Sequence, residues 1–133
     1  MKALTICQPY AQLIVRGGKR VENREWATRY RGPLAIHAGK SREWLSTEEE
    51  VFFSDTLLDP LIFGAVIGEA ILVDCLHIDR VSCGQYDAKY PWLRGHKHTV
   101  GTWCWILSDV RRRTDPLPWK GAQGLWDIPD AAL

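Results

Sequence analysis

Phe63-Gly64-Ala65-Val66-Ile67-Gly68-Glu69-Ala70-Ile71-Leu72-Val73-Asp74 is rich in valine and isoleucine and carries two glycines. β-Branched residues at this density specify a strand, and an internal glycine marks a bend or bulge. Val100-Gly101-Thr102-Trp103-Cys104-Trp105-Ile106-Leu107 reads as a second strand. Its alternation places Thr102, Cys104 and Ile106 on one face and Trp103 and Trp105 on the other. Working outward, residues 2–6, 34–38, 111–117 and 125–128 are further short strands, and 19–24 is either irregular or extended. A helix is predicted from Gln8-Pro9-Tyr10, since proline suits a first helical position, to the stop at Gly17-Gly18. A second helix, capped by Ser41 or Ser46, runs through Glu48, Glu49 and Glu50. Strands dominate and do not alternate regularly with helices. The fold class is therefore α+β and mainly β: a small mixed β-barrel of about six strands with two or more helices at its rim, not a doubly wound parallel sheet.

The chain of 133 residues is read as one domain over 1–133. Its 46% hydrophobic and 25% charged residues are ordinary for a globular core and exclude whole-chain disorder or coiled coil. No uncharged run approaches the roughly 20 residues of a membrane span, and no signal-peptide pattern opens the chain. The expectation is a cytoplasmic protein without a membrane partner. Cys7, Cys75, Cys83 and Cys104 show neither zinc nor disulfide spacing, so they read as reduced thiols, mostly in the core, with no metal and no cofactor. Net charge is +1, but residues 1–42 carry +7, residues 43–91 carry −8 and residues 92–133 carry +2. A basic face able to attract a polyanion is one outcome of that asymmetry, and mutual neutralisation is the other.

Polar residues are densest in Gly17-Gly18-Lys19-Arg20-Val21-Glu22-Asn23-Arg24-Glu25-Trp26. If 19–24 is irregular, Lys19, Glu22 and Arg24 converge, and two cations around one carboxylate hold its charge and its orientation. Arginine offers a fork of donors to a phosphate or a base edge, and Glu22 accepts from an exocyclic amine. The competing reading is a surface ion-pair cluster after a helix. Tyr10 and Trp26 flank the cluster and suit base stacking or plain packing. Gln8 suits either base reading or capping. Lys40 and Ser41, at the start of the second helix, suit a phosphate or a simple cap. His37 reads as a satisfied core or cleft histidine, and Trp103, Trp105, Trp119 and Trp126 as packing residues. Arg111-Arg112-Arg113 and His96-Lys97-His98 read as solvated segments.

Gly17-x-Lys19-x-x-Glu22-x-Arg24 resembles the Gly-x-Lys-x-x-Glu-x-Arg signature of the ASCH (activating signal cointegrator homology) domain. Gln8-Pro9-Tyr10-Ala11, the run from Arg31 to Ala38, Gly64-Ala65-Val66-Ile67-Gly68 and Gly121-Ala122-Gln123-Gly124-Leu125-Trp126 resemble the family's flanking blocks in the same order. The resemblance spans nearly the whole chain and implies a PUA-like β-barrel. It also implies a cleft that takes RNA, another single-stranded nucleic acid or a modified nucleoside. On this reading Gln8, Tyr10, Lys19, Glu22, Arg24, Trp26, Lys40 and Ser41 bind the ligand. Some relatives are amidohydrolases acting on acetylated cytidine, and some are ribonucleases. An enzyme of that kind would use Lys19 and Glu22 as catalytic residues. The amidohydrolase type has a threonine three residues after the lysine, where this chain has Glu22.

Overall fold

The structure is a computed structural model describing residues 1–16, 18–43, 45, 46, 48, 50, 52 and 60–133. Its elements are β1 (Lys2–Ile6), α1 (Tyr10–Val15), β2 (Val21–Arg24), β3 (Gly32–Ala38), β4 (Ala65–His77), α2 (Ile78–Ser82), β5 (Trp103–Pro118) and β6 (Leu125–Asp127). A 3-10 turn, Asp130–Ala132, follows β6. The six strands hydrogen-bond in the order β2-β5-β4-β3-β1-β6. β1 runs parallel to β3, with Thr5 opposite His37, and antiparallel to β6. β2 runs antiparallel to β5, with Glu22 opposite Trp105. The mixed, strand-dominated α+β class and the strand number agree with the sequence reading. No helix among the described residues is long and apolar enough to cross a membrane.

Two compact units divide the chain. The first comprises residues 1–18, 33–70 and 109–133. Its core gathers Ala3, Ala35, Val66 and Ile128, flanked by Leu117, Trp119 and Trp126. The second comprises residues 19–32 and 71–108. There Val21, Leu76, Val81, Leu93, Cys104 and Ile106 pack together, with Tyr86, Tyr90 and Trp92 against them.

Three readings change in detail. Residues 100–107 and 111–117 belong to one strand, β5, which passes through Asp109 at φ 48. Aspartate tolerates this left-handed conformation, so the strand continues through it. α2 was missed because five residues are too short for a helical period to show. The expected helix through Glu48–Glu50 falls largely on residues outside those described. So does Gly17, although Gly18, at φ 75, supports the glycine stop of α1. None of the four thiols is in a disulfide, but only Cys104 is buried and Cys83 is exposed. Cys104 lies within β5, whereas Cys83 follows α2, and composition does not tell where a position falls.

Candidate functional site

In the second unit, β2 brings the signature residues together. Lys19 Nζ donates to Glu22 Oε1 at 2.8 Å and also to the Val21 carbonyl. Arg24 Nη2 lies 2.9 Å from the other carboxylate oxygen, Oε2. Both oxygens of Glu22 are thus engaged by cations. Lys19 is only 2% exposed and Glu22 7%, so the solvated surface cluster is not what forms. The cause is local. Lys19 precedes the strand, so its side chain is free of the strand's alternation and folds back along it to the carboxylate. Arg24 follows Glu22 by two residues on the same strand face. Its guanidinium carries five donors in one plane, and the side chain keeps 24% exposure.

Trp26 lies just beyond β2 and is 38% exposed. Its ring meets Trp105 edge-to-face at a centroid distance of 4.8 Å. The Trp105 indole N–H donates to the Trp26 carbonyl at 3.2 Å. An aromatic face is therefore held in place two residues from Arg24. The His96 to His98 segment is not simply solvated: His96 Nε2 accepts the Arg20 backbone N–H at 3.2 Å.

In the first unit, the remaining predicted residues take separate places. Gln8 is buried, accepting from the Gln12 N–H at 2.9 Å and donating to the Ile62 carbonyl at 2.8 Å, so both ends of its amide serve the fold. Tyr10 opens α1 and is 42% exposed. Ser41 Oγ accepts the Glu43 N–H at 3.3 Å, a local turn bond. Lys40 lines a cavity of about 810 Å³ with Thr5, His37, Trp119, Lys120, Gly121 and Gln123. The Lys40 stem crosses Gly64, where a Cβ would meet Lys40 Cε at 2.9 Å and where φ is +68. The positive φ favours glycine there, whereas the Lys40 stem is a flexible side chain that can shift.

Beneath this cavity runs a hydrogen-bonded chain that the sequence did not disclose. The Trp126 indole N–H donates to Thr5 Oγ1 at 3.1 Å, Thr5 Oγ1 lies 3.2 Å from His37 Nδ1, and His37 Nε2 lies 2.7 Å from the Trp119 carbonyl. A carbonyl only accepts, so His37 carries its hydrogen on Nε2, and Thr5 completes the chain by donating to Nδ1. Burial holds the imidazole below its ordinary pKa, and the Lys40 cation adds to this, against the upward pull of the Trp119 carbonyl. His37 is therefore a satisfied buried histidine, as read. Gly121 closes over the chain: a Cβ there would lie 2.6 Å from Thr5 Oγ1 and 2.7 Å from His37 Cε1. Gly121→Ala is expected to cost about 1–3 kcal/mol through overpacking and to shift the Trp126 indole N–H resonance. Urea titration and a proton–nitrogen NMR spectrum check both, and an unchanged indole signal would contradict the described packing.

The family model described as ASCH domain matches residues 4–117. Activating signal cointegrator 1 of Mus musculus is 29% identical over 133 residues, and that of Homo sapiens is 28% identical. Each alignment takes 94% of this chain and 22% of the relative, so the chain spans about a fifth of the length of these curated relatives. Among solved structures, ASCH from Zymomonas mobilis superimposes with a TM-score of 0.58 at 15% identity, covering 98% of this chain and 89% of that one. A point mutant of the same Zymomonas mobilis protein gives a TM-score of 0.57 at 15% identity, covering 98% and 91%. At that identity the likeness concerns the fold alone.

Proposed function

The chain belongs to the ASCH domain family, and from that premise we propose that it is a cytoplasmic module that binds single-stranded RNA or a modified nucleotide at the Lys19, Glu22 and Arg24 group. The observation that carries this reading is the doubly clamped Glu22. A carboxylate fixed on both oxygens by two cations is a rigid platform with one net positive charge, suited to recognition of an anionic ligand. Lys19 commits donor bonds to Glu22 and to the Val21 carbonyl, which ties its side chain into the platform. Arg24 supplies planar donors to a phosphate or base edge, and Trp26 supplies a stacking face, worth about 1–3 kcal/mol per base in single-strand binders. In the first unit, the cavity places Lys40 and Lys120 beside Trp119, with no carboxylate among the described residues of its lining, which suits phosphate.

The test is binding of a single-stranded RNA oligonucleotide, followed by fluorescence anisotropy across a salt series. Affinity is expected to fall with salt at about 0.7 logarithmic units per contacted phosphate. Lys40→Ala should flatten the slope by about one phosphate, and Arg24→Gln should weaken binding at every salt concentration. Salt-independent binding would remove the phosphate contacts and favour a neutral nucleoside. The alternative, an amidohydrolase acting on acetylated cytidine or a ribonuclease, predicts turnover that Glu22→Gln abolishes. Such turnover would overturn the binding reading.

A further inference from the structure

The segment after Leu93 is tied to the signature strand by contacts between residues 75 or more positions apart. Asn23, inside the signature, makes three of them. Its Nδ2 donates to the His98 carbonyl at 2.7 Å, and its Oδ1 accepts from the N–H groups of Val100 at 3.3 Å and Gly101 at 2.9 Å. Residue 101 is glycine for want of space, since a Cβ there would fall 2.2 Å from Asn23 Cβ. Two histidines complete the attachment. Because His96 Nε2 accepts the Arg20 N–H, that ring is neutral, with its hydrogen on Nδ1. The proton that would charge it has to go onto Nε2, where it would face the Arg20 N–H and break the bond. His98 Nε2 is buried and has no hydrogen-bond partner among the described residues. A neutral ring tolerates this with a bare lone pair, whereas the cation carries hydrogens on both nitrogens and would bury one of them unmet.

The two rings are 5.5 Å apart, so two charges would also repel. The charged groups facing His96 are Arg20, Lys19 and Lys97, and those facing His98 are Lys19, Lys97 and His96 itself. Glu22, the signature carboxylate, is engaged by Lys19 and Arg24. The Arg20 guanidinium already covers the Trp92 ring at 3.8 Å, and the same indole meets His96 edge-to-face. Burial, and after it these cations, hold both imidazoles below the ordinary histidine pKa.

We propose that residues 96–101 form a proton-operated latch on β2, closed while His96 and His98 are neutral and released when they take up protons. Histidines depressed in the folded state contribute their full stability above the ordinary value near 6.5, and the contribution is lost as pH falls through the folded values. The latch thus stays shut in neutral solution and opens in mild acid. It stands on these contacts alone and not on the nucleic-acid reading.

The experiment follows amide hydrogen exchange by NMR on the ligand-free protein, at pH values above and below the histidine range, each rate corrected for intrinsic exchange. Protection of the Arg20 and Gly101 amides is expected to fall about two- to tenfold in acid, the worth of one hydrogen bond, while Leu4 and Ile36 in β1 and β3 keep theirs. The variant His96→Gln with His98→Phe keeps an acceptor and a ring but no titrating group, and its Arg20 and Gly101 protection should not change between the two conditions. Wild-type protection that ignores pH would overturn the latch, as would acid release that persists in the variant. Should the variant not fold, titration of the two ring signals in the wild type decides the matter. Both midpoints below 6.5, coincident with the amide change, support the latch, and either midpoint at or above 6.5 overturns it.

Discussion

Glu22→Ala is expected to remove about 3–5 kcal/mol of folding stability, the usual consequence of taking one partner from a buried ion pair. Lys19 is almost wholly buried, so its side chain would lose the carboxylate it is paired with where little water can replace it. Arg24, partly exposed, can turn to water, and it adds less to the loss. Against a total stability of about 5–15 kcal/mol for a domain, the denaturation midpoint in urea should drop severely, and salt should rescue little because buried pairs are weakly screened. Replacing both partners, Lys19→Met with Glu22→Leu, should return much of the loss, since an apolar pair of similar volume is often neutral beside a buried salt bridge. A single-variant cost below about 1 kcal/mol, the range of exposed pairs, would show that Lys19 is solvated and would withdraw the rigid platform on which the binding reading depends.

Trp105→Ala is the second large effect, about 3–5 kcal/mol, the range for emptying a buried aromatic site. Trp105 is fully buried, pairs in register with Glu22, and pins Trp26 by an edge-to-face contact and an indole hydrogen bond. The variant should therefore lose stability and RNA affinity together, because Trp26 would no longer be held as a stacking face. Trp105→Phe separates the two roles. It keeps most of the buried ring and loses the N–H, so about 1 kcal/mol of stability should go. Urea denaturation and RNA titration of both variants check this. Full RNA affinity in a folded Trp105→Ala protein would mean that Trp26 does not stack on the base.

The candidate site was partly legible because part of it is local. Lys19, Glu22 and Arg24 lie within six residues, and their convergence needs only the stretch before β2 to fold back on it. The depth of that cluster was not legible. Burial comes from β5 beside β2, and nothing within residues 17–26 announces that Trp105 will lie opposite Glu22. Trp26 follows the cluster closely in sequence, but its fixed orientation depends on a partner 79 residues away. Gln8 shows the reverse: two readings were open, and a carbonyl 54 residues on, at Ile62, together with the Gln12 N–H, engaged the amide within the fold.

Residue type and spacing along the chain by themselves determined the strand-dominated α+β class, most strand positions, the short helix between a proline and a glycine, and the signature. Each of these rests on interactions within a few residues: backbone preference, alternation of side chains across a strand, and charge pairing at short separation. Tertiary structure alone decided that β5 is one strand through Asp109, that Thr5, His37 and Trp126 form a single hydrogen-bonded chain under Gly121, and that the His96 ring accepts from the Arg20 N–H. The partners in these contacts are 32 to 121 residues apart. Strand order sets which of them meet, and a buried polar group takes whichever partner the pairing leaves within reach, since leaving it unpaired costs more than any local preference offers.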